Sequence, residues 1–348
     1  MALFTAAPNH LCILRLSAIG DVCHAISVVQ AIQSHWPTTK ITWITGKVES
    51  QLIGDLPNIN VVVFDKKQGF AGMRSVWHQL SNTRFDALLH MQAALRASVL
   101  SLGIKATHKV GFSRNRTREL QWLFTNRHLP DTNAFHVLDN FAEFARYIGV
   151  PMDNPTWHIP LSEQDLDFAI NNISARTLVI CPAASKDERN WLIERYAEVA
   201  DYAATKGMDI ALCGAPSERE RLLGQAIAQH TKAPIINLIG QTNLKQLTAV
   251  LARAQIVIAP DSGPAHIATT QGTPVIGLYA HSNPKRTGPY YSQDYVVNQY
   301  DTSIKQQAKS DSWGARAKGD TLMQSISVQS VIKTLDIVLK SQQTLSNH

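Results

Sequence analysis

The 348-residue chain is sparing in the features that mark several protein classes. It has four cysteines, Cys12, Cys23, Cys181 and Cys213, and none are in C-x-x-C spacing. A disulfide framework or a zinc site is therefore not expected, and reduced, buried thiols of a cytosolic protein are. There is no run of 18 apolar residues, so no membrane-spanning helix is expected. The opening "MALFTAAPNH" has neither a basic nor a sustained apolar region, so no secretory leader is expected. These absences suggest a cytoplasmic protein and leave room for contact with a membrane surface. Neither half carries G-x-G-x-x-G after its first strand-like run, which disfavours a dinucleotide oxidoreductase. The only D-x-D, Asp165-Leu166-Asp167, stands in a helix-like segment rather than at a strand end, so no metal site is read there.

What is present is ordinary in bulk: 45% hydrophobic and 17% charged residues, with no stretch suggesting extended disorder. Net charge is +6, which suits an anionic partner. The length suggests two domains of about 150–180 residues each. Strand-like runs "LCILRL", "KITWITG", "NVVVFD", "FDALLHM" and "HKVGF" fill the first half, with helix-like segments at Val22–Trp36 and His136–Tyr147 among them. The proline-rich stretch Gly149–Ser162 reads as a linker. The alternation then restarts with "RTLVICPA", a helix ended by Gly207, "MDIALCGAP", and a helix opened by a Ser217/Glu220 capping box. It continues through "PIINLIG", "QIVIAP" and "TPVIGLYA". Such alternation implies parallel βαβ units. The simplest architecture is α/β, with two Rossmann-like domains facing each other across a cleft. The boundaries are 1–160 and 161–320, and 321–348 forms a C-terminal helix with room to pack back on the first domain.

Ligands of open α/β sheets bind at the carboxyl ends of the strands. In the second half, "PAASKDERNW" places Ser185, Lys186 and Arg189 at a helix start. Cations there oppose the helix dipole and make sense around an anion. "APDSGPAH" carries Asp261, Ser262 and Gly263 into a helix opened by Pro264, with His266 in its first turn. That arrangement binds phosphate through backbone amides, although a helix-capping Asp261 is the bland alternative. "HSNPKRTGPYY" adds Lys285 and Arg286 on a third loop. In the first half, Lys66 and Lys67 follow a strand, and Lys105–Arg127 holds six Lys/Arg against the single acid Glu119. That cluster suits an anionic substrate or, through interleaved Phe112, Trp122 and Phe124, a nucleic acid. In "RLSAIGDV" a carboxylate, Asp21, occupies a strand–helix turn where phosphate-binding turns carry none.

Together "RLSAIGDV", "PDSGPAHIATTQGTPVIGLY" and "NPKRTGPY" resemble the glycosyltransferase family 9 heptosyltransferases over nearly the whole chain. Within the family the sequence is most similar to the type I enzymes, which add the first heptose, including those acting on one phosphorylated Kdo. The resemblance implies a GT-B fold and an inverting transfer from ADP-heptose to a Kdo hydroxyl of the lipopolysaccharide inner core. ADP-heptose is then a substrate, and no cofactor or catalytic metal is implied. It implies Asp21 as general base. Ser185, Lys186, Arg189, Glu218, Thr242, Asp261, Ser262, Gly263 and His266 would serve the donor. Ser17, Gly20, Lys66, Lys67 and Arg118 would serve a Kdo-lipid A or phospho-Kdo-lipid A acceptor. Arg189 stands where related enzymes place a Lys. The implied location is the cytoplasm, with peripheral contact at the inner membrane and no nucleic-acid partner. The chemistry agrees: such a transfer needs one base for the acceptor hydroxyl and cations for the leaving diphosphate. Rival readings are another family 9 transferase with a different donor or acceptor, and a non-catalytic nucleotide or glycan binder that would not need Asp21.

Overall fold

The computed structural model describes residues 2–307 and 312–346. The chain divides at Pro160/Leu161 into two compact units.

In the first unit β1 (His10–Leu14), α1 (Ile19–His35), β2 (Lys40–Gly46), α2 (Ser50–Ile53), β3 (Ile59–Phe64) and α3 (Gly69–Gln79) are followed by β4 (Phe85–His90), α4 (Leu95–Leu102), β5 (Ala106–Gly111), β6 (Arg127–His128) and α5 (Val137–Ile148). The six strands form one parallel sheet in the order β3-β2-β1-β4-β5-β6. Leu11 to Leu14 of β1 are wholly buried, as a central strand covered on both faces must be. The five apolar runs read as strands correspond to β1–β5. The two-residue β6 and helices α2 to α4 add to them. The stretch read as a linker is anchored: Trp157 Nε1 donates to Cys23 O at 2.7 Å, and His158 N donates to Gln30 Oε1 at 2.9 Å. α5 ends at Gly149, whose φ of +111° is left-handed. A Cβ there would approach Phe4 O to 2.6 Å, so glycine is required twice over.

The second unit contains α6 (Glu163–Asn172), β7 (Thr177–Ile180), α7 (Ile193–Thr205), β8 (Asp209–Leu212), α8 (Glu218–His230), β9 (Ile235–Asn237) and α9 (Leu244–Arg253). β10 (Ile256–Pro260), α10 (Gly263–Thr270), β11 (Val275–Tyr279), α11 (Pro284–Thr287), β12 (Val297–Asn298), α12 (Tyr300–Gln306) and α13 (Val328–Ser346) complete it. Its parallel sheet has the order β12-β11-β10-β7-β8-β9, the same topology as the first. Asp165 lies on α6 and forms a capping box with Ser162, which accounts for one acid of the D-x-D. α13 does not stand apart. Its Val331, Leu335 and Val338 join Ile276 and Leu278 in the core of this second unit. All four cysteines are buried free thiols, and burial pushes Cys213 up to about 12.

Both sheets reverse their direction of growth once, between β1 and β4 and between β7 and β10. These are the topological switch points, where loops from neighbouring strands diverge and leave room for a ligand.

Candidate active site

At the first switch point the chain leaves β1 through Arg15, turns over Leu16–Ala18 and enters α1. Residues at the end of β4 hold the turn. Gln92 Oε1 accepts from Leu16 N at 3.1 Å and from Ser17 N at 3.2 Å. Gly46, at the end of β2, donates to Leu16 O at 2.9 Å, and a Cβ there would approach that oxygen to 2.6 Å. Arg15 is buried. Its Nη1 donates to Met91 O at 2.5 Å, and its guanidinium carbon lies 5.1 Å from the Phe141 ring centroid. Nη2 forms an ion pair with Asp21, while buried Nε makes no hydrogen bond among the described residues.

The N-cap of α1 is Ala18, and Asp21 lies inside the helix. It occupies the third helical position, accepts from Ala18 N at 3.4 Å and leaves a third of its side chain exposed. Burial lowers the Arg15 pKa while Asp21 and, more weakly, Glu49 raise it. An Arg in such a place stays charged. Burial also raises the Glu49 carboxyl, opposed in part by Lys66 and Arg15. Arg15 thus feels the charges of Asp21 and Glu49, and Glu49 those of Arg15 and Lys66.

Of the other first-unit candidates, Ser17 is half-buried and Gly20 is buried in the first turn of α1. Lys66 and Lys67 are exposed on the 3₁₀ turn after β3, where Asp65 accepts from Lys67 N at 2.9 Å. Arg118 is exposed on the loop after β5. Its neighbour Glu119 instead accepts from Leu95 N at 2.6 Å, at the start of α4. Buried Gln121 ties the floor of that loop to β4: Nε2 donates to His90 O at 2.8 Å and lies 3.1 Å from His90 Nδ1. Burial pushes the His90 pKa down to about 3, so the ring is neutral.

At the second switch point one hydrogen-bonded set joins three loops. Arg189 donates from Nη2 to Ser185 Oγ at 2.9 Å and from Nη1 to Asp261 Oδ2 at 3.4 Å. Ser282 Oγ donates to the same Asp261 oxygen at 2.6 Å. These residues follow β7, β10 and β11, so the ion pair spans the point where β7 and β10 diverge. Asp261 is not a cap: Ser262 is the N-cap of α10, and its hydroxyl is buried with no hydrogen bond among the described residues. Buried Arg189 Nε and His281 Nε2 share that condition. Burial also lowers the His281 pKa. α10 opens with Gly263, Pro264 follows, and His266 is buried in the same turn. A helix start leaves its first amides without intrahelical acceptors, so cation, hydroxyls and amides converge as an anion requires. Lys186 is exposed and pairs with Glu188 at 3.7 Å.

Glu218 and Thr242 follow β8 and β9, one and two strands along the same edge, outside that hydrogen-bonded set. Glu218 is the exposed first residue of α8. The expected capping box is half formed: Ser217 Oγ accepts from Glu220 N, while the Glu220 carboxylate accepts from Ala215 N at 2.7 Å. Arg219 braces the Arg189 loop, pairing with Asp187 and donating to Ala184 O at 2.8 Å. The sequence reading missed Arg15, Glu49, Gln92 and Ser282. Only Arg15 gave a signal, as a charge inside the apolar run "LCILRL". Among the described residues no group of three or more His, Cys, Asp or Glu is placed to hold a metal ion.

The fold is of the GT-B class, and the sequence carries the family with it. Residues 73–315 match the model of glycosyltransferase family 9 (heptosyltransferase), a stretch that holds every donor-side candidate and Arg118 and begins downstream of Asp21. The chain belongs to that family and is a glycosyltransferase. It is 51% identical to the lipopolysaccharide core heptosyltransferase OpsX of Haemophilus influenzae over 338 residues, 95% of this chain and 97% of that one. In fold it is similar to a glycosyl transferase family 9 structure from Veillonella parvula, with TM-score 0.78, 23% identity, and coverage of 96% and 97% of the two chains. It is also similar to E. coli heptosyltransferase WaaC with ADP, with TM-score 0.75, 19% identity, and coverage of 94% and 99%.

Proposed function

We propose that the protein transfers heptose from ADP-heptose to a Kdo hydroxyl of the lipopolysaccharide inner core, with inversion at the anomeric carbon and Asp21 as general base. The observation that carries this reading is the contrast between the two switch points. One presents a partly exposed carboxylate held by a buried Arg, and the other presents Arg189 beside unpaired hydroxyl and guanidinium hydrogen-bonding groups at a helix start. In this reading the first unit takes the acceptor and the second takes the donor.

Asp21 takes the proton of the acceptor hydroxyl as that oxygen bonds to the anomeric carbon. The bond from that carbon to the diphosphate breaks, and its electron pair leaves with ADP. Arg189, Ser185, Ser262 and the first amides of α10 receive the charge that develops on the diphosphate. Glu218 suits the ribose hydroxyls as an acceptor carboxylate, and Thr242 lies one strand further along for the base. Lys66, Lys67 and Arg118 meet the acceptor's anionic groups. We assign the enzyme to the addition of the first heptose, working at the cytoplasmic face of the inner membrane.

The test is incubation with ADP-heptose and Kdo₂, phospho-Kdo or modified-Kdo lipid A acceptors, followed by mass spectrometry. A gain of one heptose on a Kdo acceptor is expected. Transfer only to an acceptor that already carries heptose would overturn the first-heptose assignment.

A further inference from the structure

Thirteen large hydrophobic side chains are exposed among the described residues, and five of them belong to α4 and the segment that packs on it. Leu95 and Leu102 lie at the two ends of α4. Leu120, Trp122 and Leu123 lie in the loop after β5, where a 3₁₀ turn spans Gln121–Phe124. All five are 41–60% exposed. The loop is fixed rather than slack. The Glu119 carboxylate holds Leu95 N at 2.6 Å, Gln121 is locked to His90, and Lys109 Nζ donates to Ser101 O at 2.7 Å. Glu119 and Leu120 both adopt left-handed backbone, with φ of +49° and +60°. That conformation is costly for a leucine, and here it ends with an exposed apolar side chain.

Exposed cations accompany the leucines on and beside these elements. Arg96 is exposed on α4, Arg114 on the loop after β5 and Arg127 at the start of β6, and the Arg114 guanidinium lies 5.8 Å from the Trp122 ring centroid. The one acid of the stretch, Glu119, is taken up by a backbone amide.

We propose that this α4/120–123 face docks on an anionic lipid bilayer, with Leu120, Trp122 and Leu123 entering the headgroup–acyl boundary and the arginines meeting lipid phosphates. Apolar tips accompanied by cations are what such a surface attracts. A second copy of the chain fits poorly, because a two-fold contact would set these arginines against themselves. Nucleic acid fits poorly as well, because the exposed apolar groups are leucines with one tryptophan, and bases need aromatic stacking faces. The proposal rests on the acceptor reading only in giving that acceptor a lipid anchor, and it names the face that would bring the first unit to it.

The experiment is co-sedimentation of the full chain with phosphatidylethanolamine vesicles holding about one-quarter phosphatidylglycerol, beside pure phosphatidylcholine vesicles. Binding to the anionic vesicles, weakened by salt, is expected. The Leu120→Asn/Trp122→Gln/Leu123→Gln variant should lose at least about tenfold of that binding, with ADP affinity and thermal melting unchanged. If that variant fails to fold, Arg96→Gln/Arg127→Gln should remove the preference for anionic vesicles, and an unchanged preference overturns the proposal. It also falls if the wild-type chain ignores the vesicles or the triple variant binds them normally. Equally tight binding of an oligonucleotide, or a dimer that the triple variant abolishes, would overturn it as well. Heptose transfer to a delipidated acceptor is scored separately, so failure at the membrane and failure of the catalytic reading remain distinct.

Discussion

Asp21→Asn removes one charge and almost no volume, and it acts on two things that can be measured apart. The first is stability. Arg15 is buried and has Asp21 as its only ion-pair partner among the described residues. A buried ion pair that loses one member costs about 3–5 kcal/mol, because the remaining charge is left uncompensated. Here Asp21 is a third exposed and Glu49 still supports the Arg15 charge, so about 2–3 kcal/mol is expected. The second is rate: loss of a general base costs about 10²–10⁴-fold. Adding Arg15→Met separates the two. With the cation gone, no buried cation is left uncompensated; Met91 O loses its Arg15 donor, but an apolar replacement of a buried pair is often neutral or stabilising. The double variant should therefore regain most of the lost stability while kcat stays as low as in Asp21→Asn. Urea denaturation of the four species of the cycle and single-turnover transfer provide the two readouts. If the double variant shows the full sum of both single losses, Arg15 and Asp21 are not coupled as described. If Asp21→Asn keeps kcat within a few-fold of wild type, the base is another residue.

Arg189→Lys keeps the charge but cannot reach Ser185 and Asp261 from two separate nitrogens, so ADP affinity by calorimetry should fall about tenfold; an unchanged affinity would make Arg189 a structural residue. Glu218→Ala should weaken ADP and spare the acceptor KM, and Arg118→Ala should do the reverse at about 1.5–3 kcal/mol in kcat/KM; equal loss of ADP binding in both would end the assignment of donor and acceptor to different units. His90 is held neutral in the folded state with a pKa of about 3 against 6.5 for the free side chain, so the unfolded chain takes up the proton first. Its contribution to stability is complete above pH 6.5 and is lost as pH falls from there toward 3, at up to about 1.4 kcal/mol per unit. His90→Asn should flatten the urea-derived stability curve over that window, and a slope equal to wild type would show that the ring is protonated in the native state.

The strands were legible because a parallel strand buried on both faces is a continuous apolar run, as in "LCIL" and "IVIAP". β6 and β12 are two residues each, too short for any pattern, and α3 begins on a glycine that gives no start signal. Charged loops at strand ends were legible for the same topological reason, and Ser185, Arg189 and Asp261 do come together. Their partners were not legible. Gln92 meets Leu16 across 76 residues, and Ser282 meets Asp261 across 21, through the side-by-side ends of parallel strands that no local rule encodes. The half-formed cap of α8 shows a local rule losing to its surroundings. Ser217 N already donates to Ala215 O at 2.8 Å, so the Glu220 carboxylate turns to Ala215 N instead.

The two sheets share one strand order, yet their switch points favour opposite charges, and the difference lies in a few residues on a common frame. At the first, the cation is inside: Arg15 is buried beneath Asp21, its other close contacts are a carbonyl and an aromatic face, Glu49 adds a more distant charge, and a carboxylate is what reaches solvent. At the second, Asp261 and Arg189 are equally buried, but Asp261 already accepts from Ser282 as well as Arg189, whereas Arg189 Nε and Ser262 Oγ have no hydrogen bond among the described residues. In the proposed reading, capacity left over at the first site is for accepting a proton, and at the second for donating hydrogen bonds to an anion. Exchanging these proposed roles would require the buried cation of the first site to become its surface, which one substitution cannot do. Asp21→Arg therefore should not create a phosphate site. It sets a second guanidinium against buried Arg15, and the expected result is a chain that melts earlier and binds no more ADP than wild type, with added binding in the calorimeter as the outcome that would refute this account of the first switch point.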